Sequence, residues 1–591
     1  MHFESAMYKP QFKQLSFVTD FYLPFEGRLD SENRWVKQAN TIPWFAAEEI
    51  YAKNFTASNG SPAYSVRMAL GALLIKQTLG LTDEETVAQI QENPYLQYFI
   101  GFESFQVKAP FDASLMTHFR KRFTSLDLAD VQEHLRQQYR ERLEKQQQQD
   151  HHESGTPDKP ATGEEEGGEA TQENPLVEEP IAVEVVTIAS VSDEPTSEQP
   201  VLEETLKVEV ICDEQTPEMP LLDAAVTAES LLVAQPANKG QLILDATCAP
   251  ADIRYPTDLG LLNDAREKTE QIIDKLYAHA PQGQKKPRTY RQRARKDFLS
   301  VTKLRRKPVK TLRRGLRKQL AYLGRNLKSI AALSAVVPLT VLDKTLYGKL
   351  LSSAELYRQQ LEMYRTNSHK IEDRIISVSQ PHVRPIVRGK ASAKVEFGIK
   401  LSLSVVDGWS TVEKMSWSAY NEGCDLIAEI KRFYDREGYY PESVHVDKIY
   451  RTKDNRQWCK AHGIRISGVP LGRPPKDPEM NAERKRQTRK DEGIRNAVEG
   501  KFGQAKRKFG MNRIMAKLPG TSETVVMLII LVMNLQKLMG VHFLRYSELF
   551  LSLLMAKNGL YSLLRPKIRR WVALVNVIGF DGRLVLSERY F

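Results

Sequence analysis

The apolar positions divide this chain into a helical first quarter and a mixed remainder. Residues 66–79 (VRMALGALLIKQTL) are apolar on most sides, as in a buried helix, and Gly80 supplies a C-terminal stop. Thr82 followed by Glu85 is a capping box that opens the next helix, which carries Val87 and Ile90. Helix, three-residue turn, helix is the outline of a DNA-binding helix-turn-helix and equally of an ordinary α-helical bundle, so both readings stand. A further helix near 113–145 runs through Phe119–Phe123 and ends in the Gln-rich 146–149.

From residue 239 the period changes. Strands are predicted at 241–245, 394–407 and 443–447, with 464–468 a weaker one. In 394–407 a turn is expected near Gly398, after which Leu401, Leu403 and Val405 alternate with Ser402 and Ser404. Helices follow at 424–436, 453–462 and 490–509. The last carries Ile494, Val498, Phe502 or Ala505, and Phe509 as an apolar stripe. A long, largely helical insertion, 264–385, separates the first two strands. Residues 521–591, with Val525–Met533 and Leu549–Leu554, read as helices that pack on the core or on a second subunit.

Charge changes this picture in two places. Residues 151–238 hold 21 Asp and Glu against 2 Lys and Arg, a local −19 within a chain of net +11, which leaves +30 on the rest. Such a segment buries too little apolar surface to offset its ordering entropy, and 146–238 is expected to be a disordered linker that screens basic surface in cis. Residues 284–328 carry 18 Lys and Arg and one acid, Asp297. That density points to a polyanion, most simply nucleic acid. Leu312, Leu316 and Leu320 recur at every fourth residue, so the block is read as a basic amphipathic helix with Arg305, Arg306, Arg313, Arg314, Arg317 and Lys318 as DNA-binding candidates.

Length and composition add limits. A chain of 591 residues exceeds one core, so three or four domains are expected. Cys212, Cys248, Cys424 and Cys459 lack zinc-ligand spacing and fit a reducing cytosol. The N-terminus has no signal-peptide layout, and the longest uninterrupted apolar run, Val525–Met533, is shorter than the roughly 20 residues of a membrane helix. The expectation is a soluble cytoplasmic protein without a membrane partner.

Three carboxylates carry the candidate chemistry. Asp245 closes the run Leu242–Leu244, Asp447 closes Val444–Val446, and Glu499 lies on a helix that also presents Arg495 and Lys506 on one flanking face. Singly, each has an ordinary explanation: an Asp after a strand is usually a turn residue, and Arg495 with Glu499 is a routine i,i+4 pair. Together, in strand–strand–helix order within a basic protein, they fit oxygen ligands for a pair of divalent cations in phosphodiester chemistry. Asp252, Asp258 and Asp407 also follow strand-like residues, and Asp407-Gly408 reads as a turn. Tyr450 as a recombinase nucleophile would need an Arg/His constellation that the chain does not assemble. Trp409, Trp417 and Trp458 are read as core aromatics rather than base-stacking wedges.

Several stretches carry a family likeness. They are 67–76 (RMALGALLIK), 79–87 (LGLTDEETV), 92–99 (ENPYLQYF), 114–122 (SLMTHFRKR), 244–247 (LDAT), 255–259 (YPTDL), 384–390 (RPIVRGK), 396–398 (EFG) and 447–452 (DKIYRT), followed by Glu499 and its helix. On these the chain resembles DDE-type bacterial insertion-sequence transposases with an InsH-like N-terminal domain. The resemblance implies a ribonuclease H-like catalytic core within an α+β protein, with Asp245, Asp447 and Glu499 as catalytic and metal-holding residues. It also implies Mg²⁺, or Mn²⁺ in its place, double-stranded DNA at the element ends and target, and at least a homodimer. Of the family's Y-x2-R-x3-E-x6-K signature, Arg495, Glu499 and Lys506 are present and Glu492 stands at the Tyr position, which adds an acid beside Arg495.

The implied organisation is an N-terminal helical domain at 1–145 for end binding or dimerisation, the acidic linker, and a core at 239–263 and 386–515. The basic insertion at 264–385 interrupts that core, and a helical tail at 516–591 follows it. The implied function is Mg²⁺-dependent strand cleavage and strand transfer at terminal inverted repeats. A DNA-binding relative without catalysis and a non-transposing nuclease remain as alternatives.

Overall fold

The computed structural model describes residues 27–55, 63–153, 237–387, 395–469, 472 and 477–556, with backbone alone for 142–153 and 540–556. The first 26 residues, most of the acidic segment with Cys212, and residues 557–591 lie outside the described residues. The chain separates into two units, Met1–Tyr139 with Val226–Phe591, and Arg140–Ala225; the sheet and the candidate site belong to the first.

Seven helices open the chain: α1 (Arg34–Thr41), α2 (Trp44–Ala52), α3 (Val66–Leu79), α4 (Asp83–Glu92), α5 (Pro94–Phe99), α6 (Leu115–Arg122) and α7 (Ser125–Glu153). α3 begins at Ser65, whose side chain accepts from the Met68 N–H, and ends at Gly80 in the left-handed region. α4 begins as expected, with the Thr82 side chain accepting from the Glu85 N–H. Where one helix is expected over 113–145, the chain breaks at Phe123 and Thr124 into α6 and α7. Phe123 is extended there (φ −95°, ψ 126°) and its ring is buried against Tyr51.

The mixed part contains β1 (Gln241–Pro250), α8 (Asp258–Tyr277), α9 (Arg291–Thr302), α10 (Val309–Ser334), α11 (Lys344–Thr366), β2 (Arg384–Val387), β3 (Val395–Val406) and β4 (Trp409–Ser416). It continues with α12 (Leu426–Glu437), β5 (Ser443–His445), α13 (Lys453–Ala461), β6 (Arg465–Ile466), α14 (Pro478–Lys508) and α15 (Pro519–Ala556). The fold is thus mixed α+β. The sheet runs β2–β3–β1–β5–β6, with β4 also paired to β3. β1, β3 and β4 are antiparallel in turn, whereas β5 and β6 run parallel to β1.

Two strand expectations are corrected. β1 does not stop at Asp245 but continues to Pro250, because Thr247, Cys248 and Ala249 stay buried in the pairing with β3. Gly398 is not a turn: β3 passes straight through it, paired to Pro250 on one side and Arg384 on the other. A Cβ at Gly398 would lie 2.1 Å from the Ala249 carbonyl oxygen, so this glycine permits close approach of two strands. The expected turn at Asp407-Gly408 is present, both residues having positive φ (49° and 75°), and it leads directly into β4.

One hydrophobic core joins the N-terminal helices to one face of the sheet. Leu70, Leu73 and Ile75 of α3, Phe119, Leu401 and Leu403 of β3, Val498 of α14 and Val526–Met533 of α15 all belong to it. The Gln132 amide donates to the Met527 carbonyl, and the Thr524 hydroxyl donates to the Phe123 carbonyl. On the other face Leu242, Leu244, Val444 and Val446 pack on Leu426, Ile430 and Phe433 of α12. By length and composition Pro519–Met539 could cross a membrane, a stretch longer than the uninterrupted apolar run read from the sequence because it takes in the polar residues at both ends of that run. Most of it (72%) is buried in the fold, where it serves as the central core helix. The insertion folds as α8–α11; α8, α10 and α11 pack on one another through Leu262, Leu323, Leu356 and Ile330, and α9 packs through Phe298 and Val301 on Leu259.

Candidate active site

The site forms where β1 and β5 run side by side. Their parallel register aligns Ile243 with His445, so two residues further along Asp245 and Asp447 stand level on neighbouring chain paths. Asp245 shares the face of Ile243, toward α14. Its Oδ1 accepts from the Ala246 N–H at 2.8 Å, and its Oδ2 lies 3.8 Å from the Arg495 guanidinium. Arg495 reaches Glu499 with its other amino group at 2.9 Å. One cation therefore joins the strand acid to the helix acid.

Asp447 lies just past the end of β5 and is exposed. It caps a short 3-10 turn, Lys448–Tyr450, accepting from the Lys448 N–H at 2.7 Å. Ser467 steadies the preceding residue: its hydroxyl accepts from the Val446 N–H at 3.1 Å. Arg451 donates to the Val446 carbonyl and lies against Gly468, which is at φ +98°, where any side chain would overlap the guanidinium. α14 is pinned beside β5 and β6 by buried Asp491, which binds Arg465 at 2.9 Å and lies 3.8 Å from His445.

Burial pushes the Asp245 carboxyl up from its ordinary value to about 6; the charges of Glu422 and Asp447 add to the rise, and the Ala246 N–H and Arg495 oppose it. Glu422 was not legible as part of this site. It lies between β4 and α12, paired to Lys400 at 2.7 Å, in a stretch without strand or helix period. Its 3-10 turn is held to the one after Asp447 by Asn455, whose amide donates to both Gly423 and Tyr450 carbonyls. Behind it Glu429, bound to the Ser402 hydroxyl, is pushed by burial to about 7. Tyr450 is fully buried, and burial followed by the Glu429 and Glu422 charges raises its phenol far above the ordinary range, so it is no recombinase nucleophile.

The donor chemistry fits a hard, oxygen-seeking cation: Asp245 and Asp447 are adjacent carboxylates, and the charge on one is disfavoured by the other and by Glu422. Among the described residues no three Asp, Glu, His or Cys side chains stand together as a metal cage. Glu499 is instead engaged by Arg495.

The remaining candidates divide. Lys506 is half-buried on the last turn of α14. Arg305, Arg306, Arg314 and Arg317 are exposed on the insertion. Arg313 is committed to structure: it donates to Asn367 and to the Tyr364 carbonyl and stacks on the Tyr364 ring. Lys318 pairs with Asp297 at 2.7 Å. Both sit where α10 faces neighbouring helices, which charge density alone does not reveal. The helix-turn-helix outline corresponds to α3 and α4. Asp83 binds both Lys76 and Arg120, and the outward face of α4 presents Glu84, Glu85 and Glu92, which would repel phosphate.

Comparison with known proteins bears on the chain's identity. Residues 444–536 match the family model described as a transposase DDE domain, and residues 23–122 match a transposase domain of the DUF772 type. The first match includes Asp447, Arg495, Glu499 and Lys506 and leaves out Asp245. The chain is also similar to the uncharacterized protein ORF8 in the nfe locus of Rhizobium meliloti, 42% identical over 111 residues, which is 18% of this chain and 53% of that protein. The chain thus spans about half the length of that curated relative. No solved structure matches. With a match to a DUF772 transposase domain near its start and to a transposase DDE domain toward its end, the chain is consistent with the DDE-type insertion-sequence transposases that its residues resemble.

Proposed function

We propose that the chain binds the terminal inverted repeats of its own insertion sequence and carries out metal-dependent strand cleavage followed by strand transfer, with Asp245, Asp447 and Glu499 as the catalytic acids. The observation that carries this reading is the level placement of Asp245 and Asp447 on neighbouring parallel paths, with Arg495 linking Asp245 to Glu499. The strand order β4–β3–β1–β5–β6, antiparallel and then parallel, supports a ribonuclease H-like core. Asp245 and Asp447 would hold Mg²⁺ or Mn²⁺, with Glu499 joining them on release from Arg495. Such cations, when bound, activate the attacking oxygen and stabilise the leaving one.

The chain's own groups supply the rest. Arg495, half-buried between two acids, is positioned to meet a scissile phosphate as cations take over its carboxylate partners. Arg305, Arg306, Arg314 and Arg317 offer exposed charge to the DNA backbone. Synapsis of two ends calls for at least a dimer, working in the bacterial cytoplasm on nucleoid DNA.

The test is cleavage and joining of a duplex carrying the DNA that adjoins this reading frame, with Mg²⁺. Asp245→Ala, Asp447→Ala and Glu499→Ala should each abolish both steps and leave end binding intact. An active Asp447→Ala variant would remove that residue from the site. Cleavage without joining would favour a non-transposing nuclease, and binding without cleavage by the unaltered chain would favour an inactive relative.

A further inference from the structure

α14 is longer than its catalytic part needs. The apolar stripe accounts for the helix from about residue 491, yet the helix begins at Pro478, with Asp477 capping it through the Glu479 N–H. Asp491 is the first buried residue, where the helix meets the body through Arg465. Before it, residues 478–490 are exposed apart from Asn481 and Thr488, which are half-buried. At about 1.5 Å per residue this free segment is roughly 20 Å long.

Its composition is one-sided. Arg484, Lys485, Arg486, Arg489 and Lys490 face Glu483 alone within 481–490, and none of the five makes an ion pair among the described residues. By contrast, Arg465, Arg495, Arg313 and Lys318 are each engaged by a neighbouring group. An exposed helix with unmatched positive charge, continuous with a catalytic helix, is complementary to a polyanion that passes through the site.

Helical geometry orients this charge. At about 100° per residue, Lys485 lies within about 40° of the Glu499 direction, Arg484 within about 60° and Arg489 within about 80°, whereas Arg486 and Lys490 point to the far side. Arg484 is fifteen residues before Glu499, or about 22 Å along the axis, the length of roughly six to seven base pairs at 3.4 Å each.

We propose that residues 478–490 form a basic arm that lies along the DNA duplex on one side of the scissile phosphate, with Arg484, Lys485 and Arg489 on backbone phosphates about four to seven base pairs from the cut. This rests on the reading of the site as a DNA-cleaving centre and adds where the duplex runs. The arm reads no base sequence; it sets direction by charge.

The experiment uses the full chain and a mixed-sequence duplex of about 30 base pairs, with affinity measured against salt without divalent metal. Three lost phosphate contacts lower the slope of log affinity on log salt by about 2.7, so from 50 to 200 mM salt the unaltered chain should weaken about 40-fold more than Arg484→Ala/Lys485→Ala/Arg489→Ala. Arg486→Ala/Lys490→Ala, on the opposite face, should keep the original slope. An unchanged slope in the triple variant, or an equal change in both variants, overturns the proposal. Mg²⁺-dependent cleavage by the unaltered chain, run in parallel, separates the two claims: cleavage with an unmoved slope sinks the arm alone, and a moved slope without cleavage sinks the catalytic reading alone.

Discussion

Asn in place of Asp245 should make the metal-free protein more stable at neutral pH and no more stable in acid. The Asp245 side chain is 17% exposed, and burial with two neighbouring acids raises its carboxyl from 3.8 to about 6. A group whose folded-state value is raised binds protons better in the folded state, so folding loses stability as pH climbs from about 4 to about 6 and no more above that. At 1.36 kcal/mol per unit the loss is at most about 3 kcal/mol. Asn is nearly isosteric, keeps an oxygen for the Ala246 N–H and carries no charge to bury. Asp245→Asn should therefore match the parent near pH 4 and exceed it at pH 7.5 by an unfolding midpoint shift of at most about 3 °C. Mg²⁺ should narrow the gap: about ten times its dissociation constant stabilises the parent by roughly 1.4 kcal/mol, about half of that difference, and leaves the variant unmoved. Thermal unfolding followed by circular dichroism from pH 4 to 8, with and without Mg²⁺, reads both effects. A stability difference that stays constant across that range would refute the assignment of a buried, charge-crowded Asp245.

Other perturbations follow from the same contacts. Arg495→Ala removes the cation that opposes the rise at Asp245, so the acidic limb of the cleavage pH profile should move upward; a profile that falls in rate without shifting would refute the coupling. Gly398→Ala places a Cβ 2.1 Å from the Ala249 carbonyl oxygen and should prevent β3 from closing on β1, seen as insoluble or unfolded protein. Glu413 is buried and bound by Arg432, Arg436 and Ser404, so Glu413→Ala should cost about 3 kcal/mol by leaving charge uncompensated. Because its carboxyl is held below its ordinary value, that stabilisation is present at neutral pH and fades as pH falls through the folded-state value, which acid unfolding of parent and variant would reveal. Deleting residues 151–235 should strengthen non-specific DNA binding at low salt if the −19 segment screens basic surface, and unchanged binding would remove that role.

Period and capping made much of the fold legible: α3, the Thr82 start of α4, the β3 alternation and the hairpin at Asp407 are all local signals. What was lost is non-local. β4 (WSTVEKMS) mixes polar and apolar residues because its outer positions pair with α12, as Glu413 does with Arg432 and Arg436, and no alternation survives. β1 past Asp245 contains Thr247 and Pro250, which signal a loop until β3 is seen covering them. At the site, the acids and Arg495 were proposed from their order along the chain. Glu422 was not, because its proximity to Asp245 arises from a turn clamped by Asn455.

The core shared by α3, α6, α15 and β3 limits what truncation can teach. The family boundaries at 23–122 and 444–536 are not folding boundaries, since a fragment cut at either would strip Leu401, Leu403 and Val526–Met533 of their cover. Loss of activity on removing the first hundred residues would report a collapsed interior, and only point changes on the surface can separate grip from chemistry.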